Sequence, residues 1–333
     1  LQIRSDMVVL DPFCGCGTTL VTCLKEGMQS TGIEVSPFMA WVSRTKTCNW
    51  NPEELRFLIS MIESAKPGPQ EPGDLLFAEF LNKAFSPGIL AKLVGLVRWI
   101  DESPVAPSHK DFLRLGIVSI MEEVSQIRKH GSHYRFMVRS ESAGLQKLNT
   151  QIVGASYDVL GKYIGRLKDM ASDVEIAGIP RSSVSCEVVC GDARSTGLPD
   201  ACVDAVITSP PYLNRNNYIA QQKAELSLLG ILNSYGAYRE LVKRTFRSHV
   251  ESDLGREPVT KFPEVRTILE AITLSDNNNP KIPHMIAGYF EDLDSTLAEL
   301  WRLMRPGSEA AFVVGNSRWG GVVVPVDHLL LML

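Results

Sequence analysis

Short apolar runs that end in glycine or polar turns alternate with longer amphipathic segments near both ends of the chain. The run "MVVLD" precedes a glycine-rich turn and then "TTLVTCLKEG", whose apolar residues recur at helical spacing. A second short run, "STGIEV", is followed by a helical pattern through "PFMAWVSRTKT". Because strands that alternate with helices pair in parallel, the pattern predicts an α/β fold with a doubly wound, mostly parallel sheet.

The pattern changes in the middle of the chain and then returns to strands. Helical segments separated by "KPGPQEPGD" and "ESPVAPS" occupy the middle, and strands resume with "SCEVVCGDA", "VDAVITSPPY" and, behind the helix "YFEDLDSTLAELWRLMRPG", "EAAFVVGN". We therefore predict that residues 1–50 and 183–333 form the sheet domain. Residues 51–182 are predicted to be a large, mainly helical insertion, whose position suits target recognition, a lid or a dimer surface.

One predicted strand runs directly into Ser209-Pro210-Pro211-Tyr212. Proline cannot donate to a sheet ladder and pushes the preceding residue out of helical geometry, so the turn is a rigid, extended exit with unpaired carbonyls. Open α/β sheets bind ligands at the carboxyl ends of their strands. The sequence therefore predicts a ligand site at this turn.

Composition indicates a globular protein of 333 residues with a net charge of −4. No apolar run approaches the roughly 20 residues needed to span a bilayer, and a signal-peptide pattern is missing, so we expect a cytoplasmic protein without membrane contact. Seven cysteines without framework spacing indicate reduced thiols, and the Cys14–Cys16 pair predicts no metal. The first strand lies close to residue 1 and the chain stops within "HLLLML", which predicts that both ends are incomplete.

Basic residues cluster in two places despite the negative net charge. The clusters are "RKHGSHYRFMVR" (Arg128, Lys129, His130, His133, Arg135, Arg139) and "YRELVKRTFRSH" (Arg239, Lys243, Arg244, Arg247, His249). Each is consistent with a solvated helix face and with phosphate contacts. The sequence alone leaves both interpretations open.

The glycine turn "DPFCGCGTT" has three interpretations. A phosphate-binding P-loop requires lysine after the last glycine, where this chain has Thr18, and a dinucleotide fingerprint requires a third glycine, where it has Leu20. The third interpretation is a loop for S-adenosylmethionine, with Glu34 suited to ribose hydroxyls in either nucleoside. The Pro-Pro-Tyr turn favours this third interpretation.

"DPFCGCGTT" together with "TSPPY" resembles the S-adenosylmethionine-dependent DNA amino-methyltransferases of the N4-cytosine and N6-adenine type. The resemblance covers roughly the first fifty residues and residues 186–320, and it implies a Rossmann-like methyltransferase fold. It implies contacts to S-adenosylmethionine by Asp11, Pro12, Phe13, Gly15, Gly17, Thr18, Glu34 and Asp192. It implies a catalytic site for the target base made of Ser209, Pro210, Pro211 and Tyr212. The family segment that precedes the glycine loop and completes the methionine pocket is missing from this chain.

The chemistry of an aromatic amine agrees with this assignment. Its lone pair is delocalised into the ring, and accepting its two N–H hydrogens with the Ser209 hydroxyl and the Pro210 carbonyl would localise that pair towards the methyl donor. Tyr212 would stack on a base flipped out of the duplex. Methylation at a ring carbon would need a cysteine nucleophile after the first proline, where this chain has Pro211.

The sequence therefore predicts a DNA methyltransferase acting on cytosine N4, the subgroup that Thr-Ser-Pro-Pro-Tyr resembles. Adenine N6 methylation and a catalytically silent nucleic-acid-binding subunit are the alternatives, with an NAD-dependent oxidoreductase a distant third. The expected partners are double-stranded DNA and, by the same resemblance, a restriction endonuclease. The sequence predicts no oligomeric state.

Overall fold

The computed structural model describes residues 4–130, 133–136, 157–178, 184–255, 260–275 and 279–333. The described residues form two compact units. The sheet unit lies within Leu1–Thr47, Ser182–Ile219 and Tyr238–Leu333, and the helical unit within Cys48–Arg181 and Ala220–Ala237. Residues 220–237, which the sequence assigned to the sheet domain, cluster with the helices instead.

The strands and helices of both units are numbered in chain order. The strands are β1 (Val8–Asp11), β2 (Gln29–Glu34), β3 (Ile127–His130), β4 (His133–Phe136), β5 (Cys186–Cys190), β6 (Val203–Thr208), β7 (Met304–Phe312), β8 (Ser317–Trp319) and β9 (Val322–Val324). The helices are α1 (Thr18–Lys25), α2 (Pro37–Thr47), α3 (Pro52–Ala65), α4 (Ala78–Ala84), α5 (Pro87–Glu102), α6 (Pro107–Met121), α7 (Val159–Ala177), α8 (Lys223–Leu228), α9 (Tyr235–Arg244), α10 (Pro263–Leu274), α11 (Lys281–Leu303) and α12 (Val326–Leu330).

Five strands of the sheet unit form one parallel sheet in the order β5-β2-β1-β6-β7. Val9 and Leu10 of β1, the central strand, are fully buried, as expected for a parallel strand covered on both faces. The chain moves outward from β1 to β2 and β5, and then returns to the other side of β1 with β6 and β7. The predicted doubly wound α/β fold is confirmed, and its topological switch point lies between β1 and β6.

The edge strand β7 begins directly after α11, several residues earlier than the sequence indicated. Pro306 and Gly307, predicted to end a helix, lie within this strand, at a place where the pairing register with β6 shifts. An edge strand tolerates proline because one of its sides needs no hydrogen-bond donor. The Ser308 hydroxyl donates to the Val203 carbonyl at 3.0 Å and helps to hold the irregular stretch in place.

The helical unit has its own apolar core between α3, α5, α6 and α7. Leu55, Leu93 and Ile117 are fully buried there, and the buried Tyr163 hydroxyl donates to the Leu113 carbonyl at 2.9 Å. One stretch of this mainly helical unit is not helical, since β3 and β4 pair as an antiparallel hairpin.

No single helix in the described ranges is long and apolar enough to cross a membrane. The helices α4 and α5 together are long and apolar enough to do so, but they are bent by 116° at the break between them. The buried residues of this pair, among them Leu81 and Leu93, belong to the core of the helical unit.

Candidate active site

The glycine loop between β1 and α1 uses its two central glycines differently. Gly15 and Gly17 both have left-handed backbone angles, with φ of 50° and 80°, which glycine adopts without steric cost. A Cβ atom at Gly17 would lie 2.3 Å from the Ser43 hydroxyl of α2, whereas one at Gly15 would meet nothing within 4 Å. Gly17 therefore permits the packing of the loop on α2, and Gly15 leaves open space beside the loop.

Glu34, at the carboxyl end of β2, faces that loop. Its carboxylate accepts the Gly15 N–H at 3.0 Å and the Ser36 N–H at 2.7 Å. Burial raises the pKa of Glu34 to about 7, and the hydrogen bonds from Ser36 and Gly15 oppose that rise. The residue remains partly exposed, so its carboxylate is available to a ligand beside Gly15.

Asp11 joins three parts of the site through one buried carboxylate. It accepts the Thr19 hydroxyl at 2.7 Å, the Thr208 hydroxyl at 2.7 Å and the Phe13 N–H at 3.1 Å. Burial raises the pKa of Asp11, and these hydrogen bonds act in the opposite direction. Because only 5% of Asp11 is exposed and both of its oxygens accept hydrogen bonds, Asp11 holds the loop in place, and its contact with a cofactor stays a prediction.

Thr208 and Thr19 were not predicted as site residues, because nothing in a single motif shows that they share a partner. Thr208 is the last residue of β6 and lies in register with the end of β7. Its hydrogen bond to Asp11 links the carboxyl ends of two neighbouring strands. The glycine loop and the Pro-Pro-Tyr turn consequently begin side by side at the switch point of the sheet.

The turn after β6 exposes Ser209 and buries Pro210. The Ser209 Oγ lies 3.2 Å from the Val313 carbonyl oxygen and 3.4 Å from the Tyr212 hydroxyl. The segment after β7 supports the Tyr212 ring, since a Cβ atom at Gly315 would lie 3.8 Å from its Cδ2. The exposed hydroxyls of the turn are thus held in fixed positions.

The carbonyls of this turn differ from the expectation that all are unpaired. The Tyr212 carbonyl accepts the Asn214 N–H at 2.7 Å, which closes a tight turn behind the ring. The Pro210 carbonyl accepts no backbone hydrogen bond from the residues that the structure describes. It is therefore available as an acceptor next to Ser209.

Asp192, which follows β5, is held by a bidentate ion pair. Arg194 donates to its two oxygens at 2.9 Å and 2.6 Å, and the Arg194 N–H adds a third bond at 3.0 Å. Burial acts to raise the pKa of Asp192, but the hydrogen bonds and charge of Arg194 outweigh it and lower the pKa. Asp192 therefore presents a firmly ionised and partly neutralised carboxylate.

A second ion pair anchors Arg194 and changes the interpretation of one basic cluster. The buried Asp292 of α11 accepts from Arg194 at 2.9 Å and from Arg247 at 2.7 Å, and Arg247 also pairs with Glu291 at 3.1 Å.

His249 of the same basic cluster is buried, with a ring nitrogen 2.8 Å from the Thr245 hydroxyl, and burial lowers its pKa to about 4. Arg247 and His249 thus make structural contacts within the protein. Arg239, Lys243 and Arg244 are the exposed members of that cluster.

Cys14 of the glycine loop serves packing. Cys14 is buried, its backbone N–H donates to the Ile33 carbonyl at 3.0 Å, and burial raises the pKa of its thiol. Across the described ranges, no group of three or more histidine, cysteine or acidic residues could hold a metal ion.

Comparison with known proteins gives relatives that match nearly the whole of this chain and about 70% of their own length. The chain is 27% identical to the Type II methyltransferase M.BsoBI of Geobacillus stearothermophilus, over 96% of this chain and 70% of that protein. It is 24% identical to the Type II methyltransferase M.AvaI of Nostoc sp., over 97% of this chain and 71% of that protein. It is 21% identical to the Type II methyltransferase M.MvaI of Kocuria varians, over 99% of this chain and 74% of that protein. No protein-family model and no solved structure matches the chain. The chain is therefore similar along nearly its whole length to several Type II methyltransferases, which supports the resemblance to DNA methyltransferases that its motifs indicate.

Proposed function

We propose that the protein transfers a methyl group from S-adenosylmethionine to the N4 amino group of a cytosine flipped out of double-stranded DNA. The observation that carries the proposal is the 2.7 Å hydrogen bond between Thr208 and Asp11. It holds the start of the glycine loop beside the start of the Pro-Pro-Tyr turn, where open α/β sheets bind ligands. A cofactor on one loop and a base on the other would then be neighbours.

The residues of the glycine loop suit S-adenosylmethionine. The open space beside Gly15 admits a ligand close to the backbone, and the Glu34 carboxylate next to it can accept ribose hydroxyls. Asp192 provides a fixed acceptor for an adenine amino group. When bound, this cofactor supplies a sulfonium methyl that is already activated for transfer, so the protein only has to position an amine nucleophile.

The turn after β6 supplies what an amine nucleophile needs. The Ser209 hydroxyl donates its hydrogen to the Val313 carbonyl at 3.2 Å, which leaves its oxygen lone pairs as acceptors for an amino N–H. The Pro210 carbonyl is the second acceptor, and two accepted hydrogens localise the lone pair on nitrogen. Tyr212 offers a ring for the flipped base to stack on.

The choice of cytosine rests on the resemblance of Thr208 to Tyr212 to the N4-cytosine subgroup, with adenine N6 as the alternative. A restriction endonuclease that cuts the same DNA sequence is the proposed partner, on the same resemblance. A cytoplasmic location and the role of the helical unit in target recognition stay predictions.

Mass spectrometry of methylated DNA tests the proposal. The protein is incubated with methyl-labelled S-adenosylmethionine and mixed-sequence duplex DNA, and the digested nucleosides are separated and weighed. We expect labelled N4-methylcytosine. Labelled N6-methyladenine would establish the alternative target, and 5-methylcytosine would contradict amino transfer. Binding of cofactor and DNA without any labelled nucleoside would establish a silent subunit.

Substitutions at Tyr212 separate base stacking from structural support. Stacking of a base on an aromatic ring contributes roughly 1–3 kcal/mol, so Tyr212→Ala should lower kcat/KM by about 5-fold to 150-fold and leave cofactor affinity unchanged. Tyr212→Phe keeps the ring and is the matched control, with most of the activity retained.

Ser209→Ala should lower kcat more than it weakens DNA binding, because the lost acceptor matters most in the transition state. Parent rates in Tyr212→Ala and Ser209→Ala would reduce the turn to a structural exit from the sheet.

A further inference from the structure

The hairpin β3–β4 of the helical unit places two arginines directly opposite each other. Arg128 of β3 pairs in antiparallel register with Arg135 of β4. The adjacent positions on the same hairpin pack inward, since Ile127 is 3% exposed and the Tyr134 ring lies 4.8 Å from that of Phe80. Because successive side chains of a strand alternate between its faces, the two arginines belong to the opposite, outer face.

Lys129, between these positions, belongs to the packed face. Its ammonium group lies 2.5 Å from the Glu225 carboxylate of α8, whose side chain is 6% exposed. Loss of this lysine would leave a buried carboxylate without its counter-ion. The basic cluster of the hairpin therefore divides into a structural lysine and two outward arginines, a division that its sequence does not show.

The Arg128 guanidinium is held in place by one of its nitrogens, and its other N–H groups remain available as donors. Its Nη1 donates to the Glu122 carbonyl at 2.6 Å and the Ile127 carbonyl at 2.8 Å. Its Nε and Nη2 have no hydrogen-bond partner within the described part of the chain, and they form one edge of the guanidinium fork.

No described acid neutralises the outer pair. Arg135 is exposed, and neither it nor Arg128 forms an ion pair with a described residue. Two acidic residues precede the hairpin. The Glu122 carboxylate accepts the Lys129 backbone N–H at 3.3 Å, and Glu123 pairs with Lys162 and Arg166. Like charges directly opposite in an antiparallel pair destabilise it, so the arrangement is suited to an anion bound from outside.

We propose that the outer face of the hairpin β3–β4 binds phosphates of the DNA backbone through Arg128 and Arg135. Guanidinium groups hold phosphate oxygens in a two-pronged geometry, and a two-stranded ribbon has the width that a DNA major groove admits. The proposal rests on the proposed function, because that function makes duplex DNA the substrate.

DNA affinity measured over a salt series tests the proposal. Fluorescence anisotropy of a labelled duplex gives the slope of log K against log salt for the full chain. Each phosphate contact contributes about 0.9 to that slope, so Arg128→Ala with Arg135→Ala should reduce its magnitude by roughly 1.8. Arg128→Lys with Arg135→Lys keeps both charges, so the slope of log K against log salt should stay close to that of the parent.

Two controls keep the result interpretable. Arg56 is a matched control in the same unit, because it is exposed but already paired with Glu175 at 3.1 Å, and Arg56→Ala should leave the slope unchanged. Circular dichroism and cofactor affinity of each variant establish that it is folded. An unchanged slope in the folded double variant, with DNA binding by the parent intact, overturns the assignment of the hairpin alone. Failure of the parent to bind DNA overturns the proposed function and this proposal together.

Discussion

At the residue scale, Glu34 combines burial with a binding role. Its pKa, raised to about 7 by burial, lies above the ordinary value of 4.5, so the folded protein favours the protonated form more than the unfolded chain does. The stability that this protonation contributes is fully present below the unfolded pKa and is lost as pH rises towards 7. Ribose hydroxyls, in contrast, donate to the ionised form.

The pH dependence of cofactor affinity follows from this opposition. We expect S-adenosylmethionine and its demethylated product to bind more tightly as pH rises from about 6 to about 8, because the carboxylate must be ionised to accept two hydroxyls. Titration calorimetry at each pH measures the effect. Glu34→Gln should bind more weakly, by roughly 1–3 kcal/mol, and show little dependence on pH. An equal pH dependence in Glu34→Gln would assign the titration to another group.

At the element scale, the turn from β1 into α1 uses one glycine for packing and the other for space. Gly17 immediately precedes α1 with φ of 80°, and a Cβ atom there would lie 2.3 Å from the Ser43 hydroxyl of α2. Any side chain at this position therefore pushes the loop and α2 apart. Gly15 has φ of 50° but open surroundings. Its side of the loop is free for a ligand.

Alanine at these two positions should therefore affect different properties: stability at Gly17 and cofactor affinity at Gly15. Gly17→Ala should destabilise the fold by several kcal/mol, through overpacking added to left-handed strain of about 1–2 kcal/mol. Gly15→Ala should carry only the strain of about 1–2 kcal/mol and lose most of its affinity for S-adenosylmethionine. Urea unfolding and calorimetry measure the two effects. Normal cofactor affinity in folded Gly15→Ala would remove the open space beside Gly15 from the proposed site.

At the scale of the whole molecule, the sheet unit is tied together by one buried carboxylate. Asp292 of α11 accepts from Arg194, which follows β5, and from Arg247, which follows α9. The same Arg194 fixes Asp192. Segments that are far apart in the chain thus depend on a single charge, whose side chain is 2% exposed.

Removal of that charge should be costly. Asp292→Asn keeps the volume but removes the buried charge that Arg194 and Arg247 share, so that each arginine keeps only its more exposed partner. Breaking a buried pair in this way costs about 3–5 kcal/mol. Urea unfolding measures this loss of stability, provided that the dependence of the unfolding free energy on urea concentration stays close to that of the parent. Glu291→Gln is the matched control, since Glu291 is 41% exposed and, among the described residues, pairs with Arg247 alone. Its effect should stay within about 1 kcal/mol. Equal effects of the two substitutions would contradict a central role for Asp292.

Local patterns in the sequence were sufficient for the class of the sheet, the glycine loop and the turn at Ser209. Hydrophobic periodicity, left-handed glycines and the rigidity of proline act over a few residues, so they can be read without a structure. The helix Pro37–Thr47 was predicted to its ends for this reason. The hairpin β3–β4 was missed because its two strands have only four residues each, too few for a periodicity to emerge.

The tertiary structure alone decided which charged and polar side chains are free to act. Asp11 meets Thr208 across 197 positions of the chain, and Lys129 meets Glu225 across 96. Arg247 looks in the sequence like the exposed Arg244, yet it pairs with a buried aspartate. The energy of a charge depends on its burial and on its partners, and both are set by residues that only the fold brings within hydrogen-bond distance.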